Sequence, residues 1–399
     1  MRRPPLWFAL AAYLSSGAAL SAQDVKTGAQ QTLTFRGFLS GTLFLQDALF
    51  APSNGQGALY VATGRSDLEE WWHGGDVRNA RIALDFAGPT IAGDWRPGAT
   101  VEIDFFGPFS GTGNFSDEQP LPRLRLAFVD LTKGGTRIRF GQDWSLTTGV
   151  FPTSVAHLGF PLGWGSGGFI GWRFPGISLR QRLTAENAPT GVALQLALLR
   201  GSWSDEPAPD GPSAGEVGIP QLEARLDFNG KMNEGTWVAY VVGHYDQKDL
   251  AGIDPDAEAN ELSSWALEAG GSLQPGPFTL QGNAYVGKAM AHQFAHILQF
   301  DDIGGWGVWA QAGVNLSPTW SLWGYFGTDN PDDEDVRASD VAGVNRLKSW
   351  LLVPMLRFRS APYSLGFEWL HNKIDVAGAN ATVNDRRGNQ LLLSVRYDF

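Results

Sequence analysis

The sequence predicts an all-β chain closed into a membrane-spanning antiparallel barrel of about sixteen strands, with short turns at one end and long loops at the other. Three observations predict it. Apolar residues alternate with polar or small ones, with period two, through almost the whole chain. The links between these segments alternate long and short. No stretch beyond the first two dozen residues approaches the roughly 18 uninterrupted apolar residues that a spanning helix needs.

The chain opens with Arg2 and Arg3, an apolar run from Leu6 to Leu20, and small residues through Ala22. This is the order of a secretory signal. Residues 1–22 are therefore expected to be cleaved after Ala22, with Ser21 as the alternative. A short periplasmic segment, 23–31, then leads into a barrel over 32–399. The chain has no cysteine, which removes disulfides and thiolate metal sites. Its net charge of −11 argues against nucleic acid as a partner.

Sixteen strands are expected near 33–46, 77–87, 99–106, 123–131, 136–145, 169–183, 190–200, 220–229, 235–246, 262–273, 278–288, 304–316, 319–328, 346–359, 363–375 and 389–399. In the first, Leu33, Phe35, Leu39, Leu43 and Leu45 share one parity, and Thr34, Arg36, Ser40, Thr42 and Gln46 share the other. Alternation alone also fits a soluble sandwich. The links separate the two. Asp47–Asp76, Leu146–Gly168, Gly201–Ile219 and Asp329–Asn345 are long, whereas Thr132–Gly135, Gln274–Pro277 and Ser317–Pro318 are tight. A sandwich has no reason to keep that alternation in step, but a barrel with short periplasmic turns and long extracellular loops does.

Aromatic residues fall near strand ends, where interfacial girdles belong: Trp95, Trp237, Phe278, Trp320, Tyr363, Trp369 and Phe399. In the last strand Val395, Tyr397 and Phe399 point to lipid, and Arg396 and Asp398 to water. Tyr397 and Phe399 form the expected assembly signal, read by a barrel-assembly machinery. Lipid and lipopolysaccharide are the expected surroundings.

If the apolar parity meets lipid, the other lines the lumen. It carries Arg36, Arg81, Arg123, Arg125, Arg137 and Arg139. In the sixth strand Trp172 and Phe174 share the outward parity before Pro175-Gly176, and Ile177 and Leu179 take it afterwards. A β-bulge is expected there, which turns Arg173, Arg180 and Arg182 inward as well. Asp85, Glu102, Asp104 and Asp143 are expected across from this basic set, with Arg125 nearly opposite Asp143, so that the pore holds a transverse field. Guanidinium groups can replace the hydration of a passing carboxylate or phosphate. Alternatively, such arginines only tie down loops.

The loop 146–168 is apolar, with Phe151, Val155, Leu158, Phe160, Leu162 and Trp164 around His157. Exposing it would be costly, so it is expected to fold into the barrel mouth as a constriction. Its glycines at 163, 165, 167 and 168 lack the helix that a phosphate cradle requires. His292 and His296 have i, i+4 spacing, but no His-Glu-x-x-His pattern, so no metal is expected. Residues 329–335 read as a solvated acidic surface loop. No nucleophile and histidine can be placed together, so an enzyme acting on lipid or peptide at the rim has no support, and no cofactor is implied.

The segments Gly75-Asp76-Val77-Arg78, Val101-Glu102-Ile103-Asp104-Phe105-Phe106-Gly107, Leu124-Arg125-Leu126-Ala127-Phe128, Phe140-Gly141-Gln142-Asp143-Trp144-Ser145 and Arg173-Phe174-Pro175-Gly176-Ile177 resemble the DcaP-like porins. The resemblance spans residues 75–180. It implies a trimeric outer-membrane porin associated with dicarboxylates, with early strands and the second loop at the trimer contact. A periplasmic coiled coil, frequent in that family, has no heptads here. The function expected is passive diffusion of small hydrophilic solutes with a preference for anions; a general porin without preference is the alternative.

Overall fold

The computed structural model describes residues 23–28, 31–62, 67–108, 119–202, 214–232, 234–249 and 261–399. The expected signal peptide lies outside them. The wall is formed by β1 (Gln31–Ala48), β2 in two pieces (Asp67–Asp76 and Arg81–Ala87), β3 (Arg96–Asp104), β4 (Arg123–Lys133), β5 (Thr136–Trp144), β6 (Arg173–Arg182), β7 (Thr190–Leu199) and β8 (Ile219–Met232). It continues through β9 (Gly235–Asp249), β10 (Glu261–Pro275), β11 (Phe278–Lys288), β12 (Gly304–Asn315), β13 (Trp320–Pro331), β14 (Arg346–Ser360), β15 (Tyr363–Ala377) and β16 (Val383–Asp398). Each strand pairs antiparallel with the next, and β16 returns to β1, from Phe38↔Asp398 to Gln46↔Gln390. The barrel therefore has no free edge, which satisfies every ladder within the wall. At the seam the Gly37 and Phe399 backbones exchange two hydrogen bonds of 3.0 Å. The Phe399 ring stacks on Phe35 at 5.2 Å.

The outward parity is as the alternation requires. Leu39, Leu43, Phe140, Leu267, Phe367, Leu393 and Val395 are exposed, while Thr42, Gln46, Gln390, Ser394 and Asp398 are buried. A soluble protein inverts this order. Apolar side chains out and polar ones in is the arrangement that suits a hydrocarbon solvent. Phe278, Trp320, Tyr363 and Trp369 are exposed near strand ends, and Trp95 and Trp237 are half-buried.

Strands agree with the sequence reading in number and order, with the largest boundary differences in the second strand, in the last, which begins at Val383 rather than 389, and at residues 23–28. The second strand begins ten residues earlier, because Asp67–Asp76 pairs with the upper half of β1 and Arg81–Ala87 with the lower half. Between the halves, Asn79 is turned inward and fully buried. The segment Gln23–Gly28 is itself a strand, folded back on β1 from Gln23↔Phe35.

The expected bulge at Pro175-Gly176 is absent. Pairing of β6 with β5 runs without a shift from Arg173↔Trp144 to Gln181↔Thr136. Phe174 is buried and Trp172 packs against Phe294, so neither faces lipid and no parity slip had to be explained. The register shift lies instead on β4, where Glu102↔Leu126 is followed by Ile103↔Leu124 and Arg125 is the extra residue. Residues 329–335 also differ from expectation. Asp329 is buried in β13, where it accepts a 2.7 Å hydrogen bond from Tyr285 Oη. Asp332 caps a short helix, Asp333–Ala338.

Candidate pore lining and mouth loops

Three loops fold into the mouth. The first, L1, is a hairpin of Phe50–Pro52 and Ala58–Val61. The third, L3 (145–172), crosses the lumen, and the sixth, L6 (289–303), folds down beside it. In L3, Val155, Ala156, His157, Leu162, Trp164, Phe169 and Ile170 are all buried, as an inward fold requires. Trp164 is the hub, with ring centroids at 4.5 Å from Phe294, 5.0 Å from Trp172, 5.9 Å from Trp144 and 6.0 Å from Phe160. Phe151 packs edge-on to Trp144 at 5.0 Å.

The wall provides polar anchors along the crossing. Gln311 Nε2 donates to Thr153 O at 2.7 Å, and Gln281 Nε2 to Phe151 O at 3.1 Å. Glu368 on β15 accepts from Val155 N at 2.7 Å, Ala156 N at 2.8 Å and Ser154 Oγ at 2.8 Å. Asn79 donates to Ala156 O and accepts from Gly159 N at 2.7 Å. The glycines serve close approach and positive φ: Gly163 has φ +85 against Tyr325, and Gly168 has φ +77 against the Val308 backbone. Burial without a charged partner pushes the His157 imidazole down to about 4, so it is neutral in ordinary conditions.

The arginines and carboxylates named from sequence do converge, but not across the lumen. They interleave on the wall from β1 to β5. Arg36 pairs with Asp85, with Glu102 at 3.5 Å. Arg125 Nε lies 2.8 Å from Glu102 and its Nη1 2.9 Å from Asp104, which Arg123 also binds at 2.7 Å. Arg139 bridges Asp130 and Asp143, so Asp143 faces Arg139 rather than Arg125. The bulge explains this, since it aims Arg125 back towards β3. The expected transverse field between opposite walls is replaced by local neutralisation.

Several of these arginines hold L3. Arg81 Nη2 donates to Leu158 O at 2.9 Å, Arg123 stacks over Phe160 at 5.1 Å, and Arg173 over Trp172 at 4.2 Å and Trp144 at 4.8 Å. Arg125 is 1% exposed, enclosed by its two carboxylate partners and the wall. Arg137, Arg173 and Arg180 form no ion pair with a carboxylate among the described residues. Arg182 donates to Glu186 O at the periplasmic turn.

Sequence reasoning missed a second basic wall. Cross-strand rows on one face place Ser40, Arg396, Ser364 and Arg359 side by side, and above them Thr42, Ser394, Gly366, Arg357 and Ser321. Arg396 and Arg81 flank the Phe38 ring at 4.2 and 5.2 Å. Arg357 stacks over Trp323 at 5.1 Å and donates to Ser321 Oγ at 3.2 Å. Arg396 and Asp398 were visible from the parity of the last strand; Arg357 and Arg359 share the inward parity of β14 and could have been read the same way. His292 and His296 do not pair with each other. His292 lies by His244, with ring centroids 5.4 Å apart, and His296 by Tyr285 at 5.9 Å.

No protein-family model matches the chain, and no curated protein matches it at a significant level. Solved structures do. The outer membrane channel DcaP of Acinetobacter baumannii is similar over 94% of this chain and 99% of its own, with a TM-score of 0.69 at 18% identity. The anion-selective porin from Comamonas acidovorans matches 93% of this chain and all of its own, with a TM-score of 0.57 at 12% identity. OmpT of Vibrio cholerae in its trimer form gives a TM-score of 0.54 at 10% identity over 93% of this chain. At these identities the likeness is one of fold, and it agrees with the resemblance to DcaP-like porins carried by residues 75–180. The chain folds as these outer-membrane channels do, into a closed antiparallel β-barrel of sixteen strands.

Proposed function

We propose that this barrel is a passive channel, a porin, through which small hydrophilic solutes diffuse across the outer membrane, with a preference for anions and for carboxylates in particular. The observation that carries the reading is the basic wall of β14 to β1. Its two rows hold Arg357, Arg359 and Arg396 among hydroxyls and glycine, and Asp398 pairs with Arg396. Guanidinium groups in a half-buried, water-facing row offer an anion successive weak contacts, which is what passage requires. On the adjoining β1–β5 wall most arginines are paired with carboxylates, Arg137 excepted, so we place the anion preference expected of those arginines on this second wall.

The test is the reversal potential of the purified protein in planar bilayers under a salt gradient. Wild-type protein should favour anions, and Arg357→Ala with Arg396→Ala should lower the anion-to-cation permeability ratio severalfold. An unchanged ratio would remove these arginines from the mechanism. Equal liposome entry of a dicarboxylate and a neutral sugar of similar size would favour a porin without preference.

The trimer is part of the same proposal, supported by the trimer form of a fold relative. The expected second-loop contact includes residues 109–118, which lie outside the described residues. Assembly through Tyr397 and Phe399, in contact with lipopolysaccharide, belongs with it; light scattering in detergent measures the oligomer directly.

A further inference from the structure

The inward fold of L6 brings His292 onto β9, beside His244 and Asp246. His292 Nε2 lies 3.1 Å and His244 Nε2 3.3 Å from the same oxygen, Asp246 Oδ2. One ligand atom from each residue falls within 4.8 Å of the others, and all three residues are buried. His244 Nδ1 lies 3.0 Å from Glu223 Oε1 on β8. That contact keeps the ring proton on Nδ1 and turns the Nε2 lone pair towards a carboxylate oxygen. An acceptor facing an acceptor is unfavourable unless a positive charge sits between them.

His292 makes the same point independently. Its side chain is 1% exposed, Nδ1 has no hydrogen-bond partner, and Nε2 meets the same Asp246 oxygen that His244 faces. A buried imidazole with one nitrogen unsatisfied and the other crowding a shared carboxylate oxygen needs an explanation, and a bound ion is a standard one. Charge agrees: Glu223 and Asp246 bring two negative charges, while Lys248, bonded to the other Asp246 oxygen, brings a single positive one.

We propose that His244, Asp246 and His292 bind a divalent cation of the zinc class, which latches L6 to the barrel wall. Two imidazole nitrogens and a carboxylate oxygen are ligands that suit Zn²⁺. Bonds of about 2.0–2.1 Å at tetrahedral angles set ligand atoms roughly 3.3 Å apart, close to the two separations seen here. Glu223 holds His244 in the way an outer carboxylate orients a metal-bound histidine. Water takes the fourth position, and Lys248 moderates the affinity by its charge. The site joins a loop residue to strand residues about one barrel strand pair away, so occupancy restrains L6. This is not the i, i+4 pair of His292 and His296, for which the sequence predicted no metal.

The test uses the full chain in detergent, stripped with chelator and shown to be folded by its heat-modifiable migration. Titration with Co²⁺ should give saturable visible ligand-field absorption at one ion per chain, displaced by Zn²⁺. Zn²⁺ should also raise the unfolding temperature. His292→Phe, which keeps a ring in the L6 packing, and Asp246→Asn should each weaken Co²⁺ binding by more than tenfold. His73→Ala, an exposed histidine outside the cluster, should leave it unchanged. Absence of saturable uptake in folded protein, or equal uptake by wild type and His292→Phe, overturns the proposal and leaves a proton as the neutralising charge.

Discussion

Glu368 restrains the middle of L3 through three donors. It receives two backbone amides and the Ser154 hydroxyl at a fully buried position. Hydrogen bonds to a charged acceptor contribute about 1.5–3 kcal/mol each, and an amide left unpaired in a buried place costs about as much. Glu368→Ala should therefore loosen L3 by on the order of 3 kcal/mol or more. The expected outcome is a larger and noisier single-channel conductance, with Glu368→Gln intermediate because the amide oxygen still accepts. An identical conductance in Glu368→Ala would show that L3 does not set the channel's width. His157, in the same loop, is held neutral, with its pKa moved from near 6.5 down to about 4. The folded state thus binds fewer protons than the unfolded one. The stability it contributes is complete above 6.5 and lost as pH falls towards 4. Current fluctuations should increase over that window and be flat in His157→Phe, as single-channel recording would show.

Elements were legible where one rule governed them. Strands have period two, and the lipid-facing half of each strand is a continuous record of what it touches, so boundaries and facing followed from parity. β4 broke the reading because a bulge costs nothing in composition: Leu124-Arg125-Leu126 scans as regular alternation, and only pairing with β3 reveals the extra residue. Asp67–Asp76 was hidden for another reason. It is polar and aromatic at the barrel rim, above the lipid, where no apolar parity is imposed. L3 was recognised as inward because its apolar side chains had nowhere else to go, but its anchors on β11, β12 and β15 were not, since no local pattern announces a partner far along the chain. The histidine cluster was missed for the same reason. L3 and L6 meet at Trp164 and Phe294, stacked 4.5 Å apart. Trp164→Ala removes the hub of that contact, and a large aromatic lost from a packed site costs about 3–5 kcal/mol. Limited proteolysis should then cut both loops faster while the barrel still migrates as folded; protection equal to wild type would mean that the loops dock independently.

At the scale of the whole molecule, charge is arranged by wall. The acid excess of the chain, −11 overall, does not describe its interior, where the β14–β1 face is basic and the β1–β5 face is neutralised in pairs apart from Arg137. A field of that kind acts through water and is screened by salt, with a reach of about 10 Å at 0.1 M and about 3 Å at 1 M. Anion preference should accordingly be strong at low ionic strength and decline towards none at molar salt. A preference that is constant with salt would point to direct ligation rather than to the field.

The partners of the mouth loops lie far from them in sequence: Ser154 is 214 residues from Glu368, and the Val61 amide is 311 residues from the Asn372 side chain that receives it. Contacts of such separation cannot form until the intervening chain is in place. The crossbeams can settle only once β15, which carries Glu368 and Asn372, has joined the wall. Until then nothing on β15 holds L1 and L3 across the opening, so permeability should fall as the last strands are added.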